Sequence, residues 1–232
     1  MTALNLSIDC VILGFDEDQK LKVLLIKKFI NNKNDFQFAL PGDLLKPNED
    51  LLAGGKRILK SLTSLENIYL KQFHTFGNPE RTKQSKDQSW LSMYRKKPKE
   101  RVVTVGYVAL VKMEEYSPQA SSFAVDAEWV ELSQVSKDLA FDHNEILDTA
   151  IKYLRDQIDH KLISNLLPTK FTLSQLQNLY EILLDQKLDK RNFRKNISKI
   201  DIIKKTSEKQ AGVRHKPAYL YTYGDDSFVS QI

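Results

Sequence analysis

The chemically most informative residues of this chain surround one carboxylate, Glu49, which stands just ahead of a helical run that begins near Asp50. A hard cation such as magnesium needs several oxygen ligands, and carboxylates on one face of a helix can supply them together. The run after Glu49 instead places Ile58, Ser61 and Leu62 on one face, and only the serine side chain carries an oxygen. A single carboxylate cannot hold a metal-bound diphosphate, so this face predicts packing in a core rather than metal chemistry.

The stretch 41–65 resembles the Nudix box, the loop–helix–loop that binds metal ions in hydrolases of nucleoside diphosphate derivatives. Glu49 and Arg57 match the first Glu and the Arg of the box. Asp43 and Ser64 stand where the box has Gly. Its three remaining Glu positions are occupied by Ile58, Ser61 and Leu62. The resemblance therefore implies a degenerate box with no catalytic residue, no metal site and no cofactor.

The segments on either side of the box resemble, in order, those of the Nudix domains in the Nudix-related transcriptional regulators. They comprise an apolar hairpin, the strand that enters the box and several later segments, at 6–13, 21–26, 36–40, 76–81, 101–110, 127–130 and 139–147. The resemblance covers nearly the whole chain and is strongest outside the box. It implies that the N-terminal part folds as a Nudix-like α/β/α sandwich, closed by a helix that begins near His143.

Composition and length are those of an ordinary globular protein. The chain has 232 residues, of which 41% are hydrophobic and 28% charged, enough for one large domain or two modest ones. No apolar run is long enough to span a bilayer, and the first residues do not form a secretion signal. The single cysteine, Cys10, lies in an alternating strand pattern and fits a buried structural thiol in a reducing compartment. We therefore expect a cytoplasmic protein with no membrane partner.

The positive charge of the chain is concentrated in its C-terminal third. Residues 161–223 contain 13 basic and 5 acidic side chains, a net charge of +8, whereas the whole chain carries +5 and the remainder therefore carries −3. A basic module attached to a mildly acidic body is typical of proteins that bind a polyanion. A solvated basic surface without a partner is the alternative, and the pattern of residues decides between the two.

Two short helices are predicted at the start of this basic region. Thr172 and Gln175 have the spacing of a capping box, and leucines then repeat on one face as far as Leu183. After a tight turn, Asp189 is placed to cap a second helix. The apolar residues of the second helix share its inner face, at Phe193, Ile197 and Ile200. Its outer face is basic, as in a helix-turn-helix whose second helix enters the major groove of DNA.

A basic hairpin follows the second helix. The stretches 201–206 and 217–223 are predicted as strands, and the loop 207–216 between them is basic and contains one Gly. Two helices followed by such a hairpin form a winged helix-turn-helix, and 188–194 and 214–221 also resemble the recognition helix and wing of the same regulators. The residues expected to bind DNA are Lys190, Arg191, Asn192, Arg194, Lys195, Arg214, His215 and Lys216.

Double-stranded operator DNA is thus the expected partner. Arg191 and Arg194 could pair with guanine and Asn192 with adenine, but most protein–DNA hydrogen bonds go to the backbone, which favours phosphate contacts for each. Arg214 and Lys216 should follow phosphates or the minor groove. Because one winged helix covers one half-site, we expect a homodimer on a palindromic operator.

The chain therefore predicts an α+β protein with a Nudix-like effector-sensing domain at 1–158 and a winged helix-turn-helix DNA-binding domain at 159–232. One stretch, 82–100, is longer than the usual connection in the Nudix pattern. Trp90 and Tyr94, at i and i+4, predict a short helix that docks, covers the pocket or contacts a second subunit. A disordered surface loop is the alternative.

The small-molecule effector is expected to bind a few converging polar side chains of the Nudix-like domain. In the resembled family, one branch responds to ADP-ribose-type nucleotides and another serves sugar catabolism, including that of L-arabinose. The lost acidic residues favour the sugar branch, because a diphosphate without its metal would need compensating cations. Cations that could supply this contact are present, so the choice stays open: Lys27, Lys28, Arg57 and Arg81. The candidate effector-binding residues are Lys27, Asp43, Glu49, Asn78, Arg81, Asp142 and His143.

These features predict a transcriptional repressor of carbohydrate catabolism that is not an enzyme and that binds a sugar such as L-arabinose. One alternative is a regulator of NAD metabolism that senses ADP-ribose. Another is an active Nudix hydrolase, which would need replacement carboxylates such as Asp43 and Glu66 beside Glu49, although their spacing does not put them on one helical face. An RNA-processing or ribosome-associated factor is a third alternative, and it rests only on the basic third.

Overall fold

The computed structural model describes residues 4–15, 20–29, 36–113, 118, 124, 126–156, 163–164, 166–212 and 216–224. The strands are β1 (Leu4–Phe15), β2 (Leu21–Phe29), β3 (Phe36–Ala39), β4 (Gly42–Leu44), β5 (Lys71–Phe76), β6 (Arg101–Lys112), β7 (Asp126–Glu131), β8 (Ile203–Lys209) and β9 (Tyr219–Tyr223). The helices are α1 (Leu51–Thr63), α2 (Ser85–Tyr94), α3 (His143–Asp156), α4 (Leu173–Leu184) and α5 (Lys190–Ile197), with a 3₁₀ turn at Leu132–Gln134. Within these ranges, no helix has the length and apolar character needed to cross a membrane.

The strands that precede α3 form a mixed sheet in the order β3-β2-β1-β6-β5, with β4 paired to β1 and β7 paired to β2. The two long central strands, β1 and β6, run parallel from Leu4↔Arg101 to Phe15↔Lys112. Both are buried along most of their length because the sheet is covered on both faces. The sheet therefore supplies the rigid frame on which the loops of the N-terminal part are mounted.

Alternation along β1 divides the core into two apolar layers. Ile8, Cys10 and Ile12 belong to the layer that α1 completes, whereas Val11 and Leu13 belong to the layer that α3 completes. Cys10 is fully buried, and burial raises the pKa of its thiol well above the ordinary value, as fits a structural residue. Helix α1, the sheet and helix α3 together form the α/β/α sandwich that the sequence predicts.

Helix α1 packs unusually close to the sheet. The side chain of Asp50 caps it by accepting a hydrogen bond from the backbone N–H of Ala53, 2.8 Å away. A Cβ atom added at Gly54 would lie 2.8 Å from Cδ1 of Ile8 and 2.5 Å from Cδ1 of Leu45. The glycine that lowers the intrinsic helix propensity thus lets the helix approach β1 more closely than any side chain would allow.

Helix α3 connects the N-terminal sandwich to the C-terminal part. Its buried face carries Ile146, Leu147 and Ala150 against the sheet, and it also contacts α4. One apolar cluster consequently continues from β1 through α3 into α4 and α5, where Leu176 and Phe193 are buried. The predicted boundary between residues 158 and 159 lies outside the described residues, so the domain limits stay a prediction.

The C-terminal part has the helix, helix and hairpin order of a winged helix-turn-helix. The Thr172–Gln175 capping box is present, and the Asp189 side chain caps α5 by accepting from the backbone N–H of Asn192 at 2.8 Å. The hairpin of β8 and β9 is tied to the start of α4 through the bridge Phe171↔Tyr221. Strand β8 begins at Ile203 rather than at 201, because the two preceding residues form a turn after α5.

Candidate functional site

The face of α1 that corresponds to the metal-binding face of a Nudix box is part of the core. Ile58 and Leu62 have no solvent exposure, and the Ser61 hydroxyl donates to the carbonyl oxygen of Ile58 at 3.1 Å. The described residues contain no group of three or more His, Cys, Asp or Glu side chains that could hold a metal ion. The side chains on this face therefore do not fit the magnesium ion that a Nudix hydrolase would need.

The surviving Glu49 and Arg57 of the box form an ion pair with each other. Nε of Arg57 donates to Oε1 of Glu49 at 2.6 Å, and Nη2 donates to Oε2 at 2.9 Å and to the carbonyl oxygen of Leu44 at 2.9 Å. The hydrogen bonds from Arg57 lower the pKa of Glu49 and keep the carboxylate ionised. The pair fastens the loop after β4 to α1, so its role in this structure is to hold the loop in place.

A pocket of about 190 Å³ opens beside β1, between β2, β4, α2 and the start of α3. Its lining is polar and carries charges of both signs. The lining residues are Ser7, Asp9, Ile26, Lys28, Ala39, Leu40, Gly42, Asp43, Arg81, Thr82, Leu91, Arg95, Val102, Phe141 and His143. A concave site with converging polar groups on a rigid sheet is the expected form of a small-molecule site.

A buried ion network closes one side of this pocket. The Arg81 guanidinium donates from Nη2 to Oδ1 of Asp142 at 2.7 Å and from Nε to Oδ2 at 2.8 Å, and Nη2 also lies 3.4 Å from Oδ2 of Asp9. Burial would lower the pKa of Arg81, but the two carboxylates outweigh it and raise the pKa. Arg81 is therefore a charged residue whose Nε and Nη2 donors are already engaged by protein carboxylates.

His143 has a structural part in the same network. Its Nδ1 accepts a hydrogen bond from the backbone N–H of Leu40 at 2.9 Å, so the ring proton resides on Nε2, which lies 3.5 Å from Oδ1 of Asp9. Burial would raise the pKa of Asp9, yet His143 and Arg81 hold it well below its ordinary range. Asp9 is thus an ionised carboxylate that joins β1 to the first residue of α3.

Two further cations line the pocket, Lys28 on β2 and Arg95 immediately after α2. Lys28 is only 3% exposed. Burial lowers its pKa to about 6, opposed by the charge of Asp43 and reinforced by that of Arg95. Burial also lowers the pKa of the Arg95 guanidinium, against the attraction of Asp43 and Asp9.

The structure brings together some of the predicted effector residues. Asp43, Arg81 and His143 line the pocket, and Asp142 stands behind Arg81 as its bidentate partner. The remaining predicted residues are not in the lining: Lys27, Glu49 and Asn78. The Lys27 ammonium lies 3.7 Å from the centre of the Phe36 ring, Glu49 is held by Arg57, and Asn78 Oδ1 accepts from the backbone N–H of Glu80.

Sequence reasoning missed two of the charged lining residues, Asp9 and Arg95, and it named Lys28 only as a cation that could meet a diphosphate, outside the list of candidate effector-binding residues. Successive side chains of a strand point to opposite faces of the sheet. Lys28 therefore shares the face of Ile26, which lines the pocket, whereas Lys27 lies on the other face. Asp9 could have been noticed as one acid within an apolar run. Nothing in the local sequence around Arg95 signals that the stretch 82–100 folds back over the pocket.

That stretch contains the short helix expected from its sequence. Helix α2 lies over the pocket, where Leu91 is 2% exposed, and Oδ1 of Asp87 accepts from the backbone N–H of Phe141 at 2.8 Å. The expectation of a helix that covers the pocket therefore agrees with the structure. The side chains of Trp90 and Tyr94, on which it rested, lie outside the described part of the chain.

The predicted DNA-binding side chains of the second helix are all presented to solvent. Phe193 and Ile197 anchor α5 to α4, with the Tyr180 and Phe193 rings 5.4 Å apart at their centres. The opposite face of α5 exposes Lys190, Arg191, Asn192, Arg194 and Lys195. Lys216 in the hairpin is also exposed, whereas Arg214 and His215 lie outside the described residues.

The hairpin exposes further basic residues that were not among the predicted DNA-binding residues. Lys204, Lys205 and Lys209 are exposed on β8. The ammonium groups of Lys205 and Lys209 lie 3.6 Å and 4.8 Å from the centre of the exposed Tyr219 ring. Tyr223, in contrast, packs against Phe171, with 5.2 Å between ring centres. The basic surface of the winged helix therefore includes both α5 and the hairpin.

Comparison with known proteins agrees with both halves of this description. Residues 163–223 match the family described as the NrtR DNA-binding winged helix domain. The chain is 33% identical over 223 residues to the ADPR responsive transcriptional repressor NtrR of Acinetobacter baylyi. The aligned region covers 94% of this chain and 81% of that protein. It is also similar to Shewanella oneidensis NrtR complexed with a 27mer DNA, with a TM-score of 0.70, 27% identity and coverage of 94% and 93% of the two chains.

The N-terminal part has a solved counterpart of its own. The NUDIX domain of Shewanella oneidensis NrtR, complexed with ADP ribose, matches 66% of this chain and 90% of that chain, with a TM-score of 0.52 and 28% identity. These similarities confirm the predicted fold, a Nudix-like α/β domain followed by a winged helix domain in an α+β chain. None of the relatives named here is described as a sugar regulator.

Proposed function

Since this chain belongs to the NrtR family of Nudix-related winged-helix transcriptional regulators, we propose that it represses transcription from an operator and is controlled by ADP-ribose. The observation that carries the proposal is the 33% identity, across 94% of the chain, to a repressor described as responsive to ADPR. The effector and the DNA then bind at different ends of one chain, the first in the Nudix-like pocket and the second on the winged helix.

The proposal replaces the sugar effector that the sequence favours. The comparisons give no support to L-arabinose or to a role in carbohydrate catabolism, and they support the alternative that was kept beside it. The preference for a sugar rested on the lost metal ligands, because a diphosphate would then need other cations. Lys28 and Arg95 in the pocket lining meet that requirement, so the missing carboxylates no longer count against a nucleotide.

The size of the pocket limits how the ligand would sit. Sites for small molecules commonly measure roughly 300–1,000 Å³, whereas this pocket measures about 190 Å³. We expect the charged diphosphate portion of ADP-ribose to occupy the pocket, next to its cations, while the nucleoside extends along the mouth. L-Arabinose would fit the volume but would leave the charged groups without a counterpart.

The DNA-binding half of the proposal rests on the exposed basic face of α5 and the basic hairpin. The N-terminal residues of a second helix in this motif meet base edges, and the flanking cations meet phosphates. We assign Lys190, Arg191, Asn192, Arg194 and Lys195 to these contacts, together with Arg214, His215 and Lys216. A homodimer on a palindromic operator and a cytoplasmic location complete the proposal.

Repression without hydrolysis is also part of this proposal. A Nudix hydrolase needs metal ligands on the helix of its box, and here that face is buried and apolar at Ile58 and Leu62. The proposed function therefore needs only differential affinity: ADP-ribose must prefer the conformation that does not bind operator.

The test is a DNA-binding titration on a duplex that the full-length protein has selected from a random pool. Saturating ADP-ribose should weaken binding to this duplex, with or without magnesium, and should raise the melting temperature of the protein. L-Arabinose should do neither. Release by L-arabinose but not by ADP-ribose would restore the sugar effector, and magnesium-dependent cleavage of ADP-ribose that is lost in Glu49→Gln would show a hydrolase.

A further inference from the structure

We propose that Lys28 and Arg95 form a metal-independent anion site that holds the diphosphate of the effector in place of the missing carboxylate–magnesium site. The inference rests on the proposed function, because it takes an ADP-ribose-type nucleotide as the ligand. It adds a chemical reason why a degenerate Nudix box can still recognise a diphosphate. It also gives the stretch 82–100 a role, since that stretch carries Arg95.

The two cations reach the pocket from independent, well-anchored elements. Lys28 lies in the β2–β3 ladder, directly opposite Gln37. The backbone N–H of Arg95 donates to the carbonyl oxygen of Leu91 at 2.8 Å, and Leu91 itself is part of the pocket wall. Because Asp87 ties α2 to Phe141 at the start of α3, the position of Arg95 is set by packing rather than by an exposed loop.

Arg81, another cation of the pocket lining, is already paired with carboxylates of the protein. Arg81 is engaged by Asp142 and Asp9, so its charge is balanced within the protein. By contrast, the Arg95 guanidinium forms no ion pair within 4 Å and no hydrogen bond with the part of the chain that the structure describes. A planar guanidinium with uncommitted donors is suited to phosphate oxygens.

The charge of Asp43 is shared among three cations of this region. Asp43 attracts both Lys28 and Arg95, and Arg57 also approaches it, with Nη1 3.9 Å from Oδ2 of Asp43. Burial lowers the pKa of Lys28 to about 6, although Asp43 opposes the shift, so the amine is largely neutral at neutral pH. A bound diphosphate would favour its charged form, so ligand binding should be accompanied by proton uptake.

A buried amide, that of Gln37, lies opposite Lys28 on β3, next to the pocket lining rather than in it. Gln37 is 5% exposed, and neither its Nε2 nor its Oε1 has a hydrogen-bond partner among the described residues. Directly opposed residues of an antiparallel pair share a face of the sheet, so the Gln37 side chain lies on the Lys28 side. An unpartnered buried amide is costly, and a polar ligand next to Lys28 would satisfy it.

The test measures ADP-ribose binding to the full-length protein by isothermal titration calorimetry in EDTA. The variants are Lys28→Met and Arg95→Gln, and their controls are the neighbours Lys27→Met and Lys96→Gln. Lys27 lies over the Phe36 ring and Lys96 is exposed, so neither control touches the pocket. Each pocket variant should weaken binding at least about tenfold, whereas the controls should bind like the parent.

Two further readouts separate charge recognition from loss of folding. Titration of the parent near neutral pH, in buffers of different ionisation enthalpy, should show proton uptake that disappears in Lys28→Met and persists in Lys27→Met. Thermal melting should show both pocket variants folded. Arg95→Gln keeps the proposal testable if Lys28→Met does not fold, because Arg95 is only half-buried.

The outcomes distinguish this inference from the proposed function. If the parent binds ADP-ribose and both pocket variants bind it equally well, the effector is right and the Lys28–Arg95 site is wrong. Binding that vanishes in EDTA and returns with magnesium would also overturn the site, because a metal would then carry the diphosphate. If the folded parent does not bind ADP-ribose in either condition, the proposed effector itself fails.

Discussion

Arg155, in the last turn of α3, donates a hydrogen bond from Nε to the carbonyl oxygen of Leu183 near the end of α4, across 2.9 Å. Its Nη2 also lies 3.6 Å from Oδ2 of Asp185, the residue that ends α4 in a left-handed conformation. The opposite end of the same helix begins at His143, in the ion network beside the polar pocket. Helix α3 therefore connects the pocket to the first helix of the DNA-binding motif.

We predict that Arg155→Ala uncouples effector binding from DNA binding. ADP-ribose should bind with nearly unchanged affinity, because Arg155 is remote in sequence from the pocket residues at the start of α3. The ADP-ribose-dependent change in operator affinity should shrink, and typical coupling energies of about 1–3 kcal/mol set the scale. The measurement is operator affinity by fluorescence anisotropy, with and without saturating ADP-ribose.

The matched control for this prediction is Lys152→Ala, an exposed position on the same helix. It removes a similar side chain without touching α4, so its coupling should equal that of the parent. Equal loss of coupling in both variants would mean that the helix surface, rather than the Arg155–Leu183 contact, transmits the signal. Unchanged coupling in Arg155→Ala would remove the contact from the mechanism.

A second prediction concerns the dependence of stability on pH that buried Lys28 imposes. Burial lowers its pKa to about 6 in the folded chain, with Asp43 opposing and Arg95 reinforcing the shift, whereas lysine in an unfolded chain titrates near about 10.4. Between these values the unfolded state holds a proton that the folded state has released. The free energy of unfolding should therefore rise with pH across this window.

Lys28→Met removes this titration, so without ligand it should melt at a higher temperature than the parent. The difference in melting temperature should be larger near pH 6.5 than near pH 9.5, because at the higher pH lysine is closer to neutral in the unfolded chain too and the parent is less destabilised. Lys27→Met should show a difference that does not vary with pH. The measurement is the melting temperature of each protein across this pH range. If the melting temperatures of Lys28→Met and the parent change with pH in parallel, the prediction is wrong.

Local features of the fold were predictable from sequence because they depend on neighbours in the chain. The Thr172–Gln175 capping box and the Asp189 cap were predicted from spacing alone and are present. The buried face of α1 followed from helical periodicity in the same way. The close approach of Gly54 to Ile8 has no such local signal, since it depends on tertiary packing.

The pocket was harder to predict because its residues come from distant parts of the chain. Arg81 and Asp142 are 61 positions apart, and no local pattern reveals that they meet. The choice between Lys27 and Lys28 depends on which face of β2 is turned to the pocket, and a one-residue error exchanges the faces. Arg95 enters through a long connection whose path no periodic pattern specifies. Resemblance identified the domain, while only the structure brought these charges together.

A third prediction separates base contacts from phosphate contacts on the winged helix. Arg191→Ala or Arg194→Ala should cost about 1–3 kcal/mol of operator affinity and relax the preference at one base position, if that arginine pairs with guanine. Lys216→Ala should weaken all duplexes alike and reduce the salt slope of binding by about 1. Lys56→Ala on α1 is the control and should bind like the parent.

Anisotropy titrations on the selected duplex, on single-base variants of it and at several salt concentrations would measure these effects. If Arg191→Ala and Arg194→Ala lower the affinity for every duplex equally, both are phosphate contacts and specificity lies elsewhere on α5. If none of the three variants changes DNA binding, the DNA does not bind the surface formed by α5 and the hairpin.

The last prediction is that the Nudix box cannot be repaired by restoring its acidic residues. Ile58 and Leu62 are fully buried against the sheet, so Ile58→Glu or Leu62→Glu would place a carboxyl group in an apolar layer. Such burial costs several kcal/mol, a large part of a total stability of about 5–15 kcal/mol. Both variants should therefore unfold at much lower urea concentrations than the parent.

Ser61→Glu is the informative control, because Ser61 is only partly buried and a longer side chain can reach solvent. It should fold with nearly normal stability and should still not bind magnesium, since Glu49 is held by Arg57 and the Asp43 carboxylate also lies beside that guanidinium. Urea denaturation followed by circular dichroism, repeated with magnesium, tests both expectations. A folded Ile58→Glu, Leu62→Glu protein that magnesium stabilises would show that α1 can turn this face outward, and that the metal site is latent rather than lost.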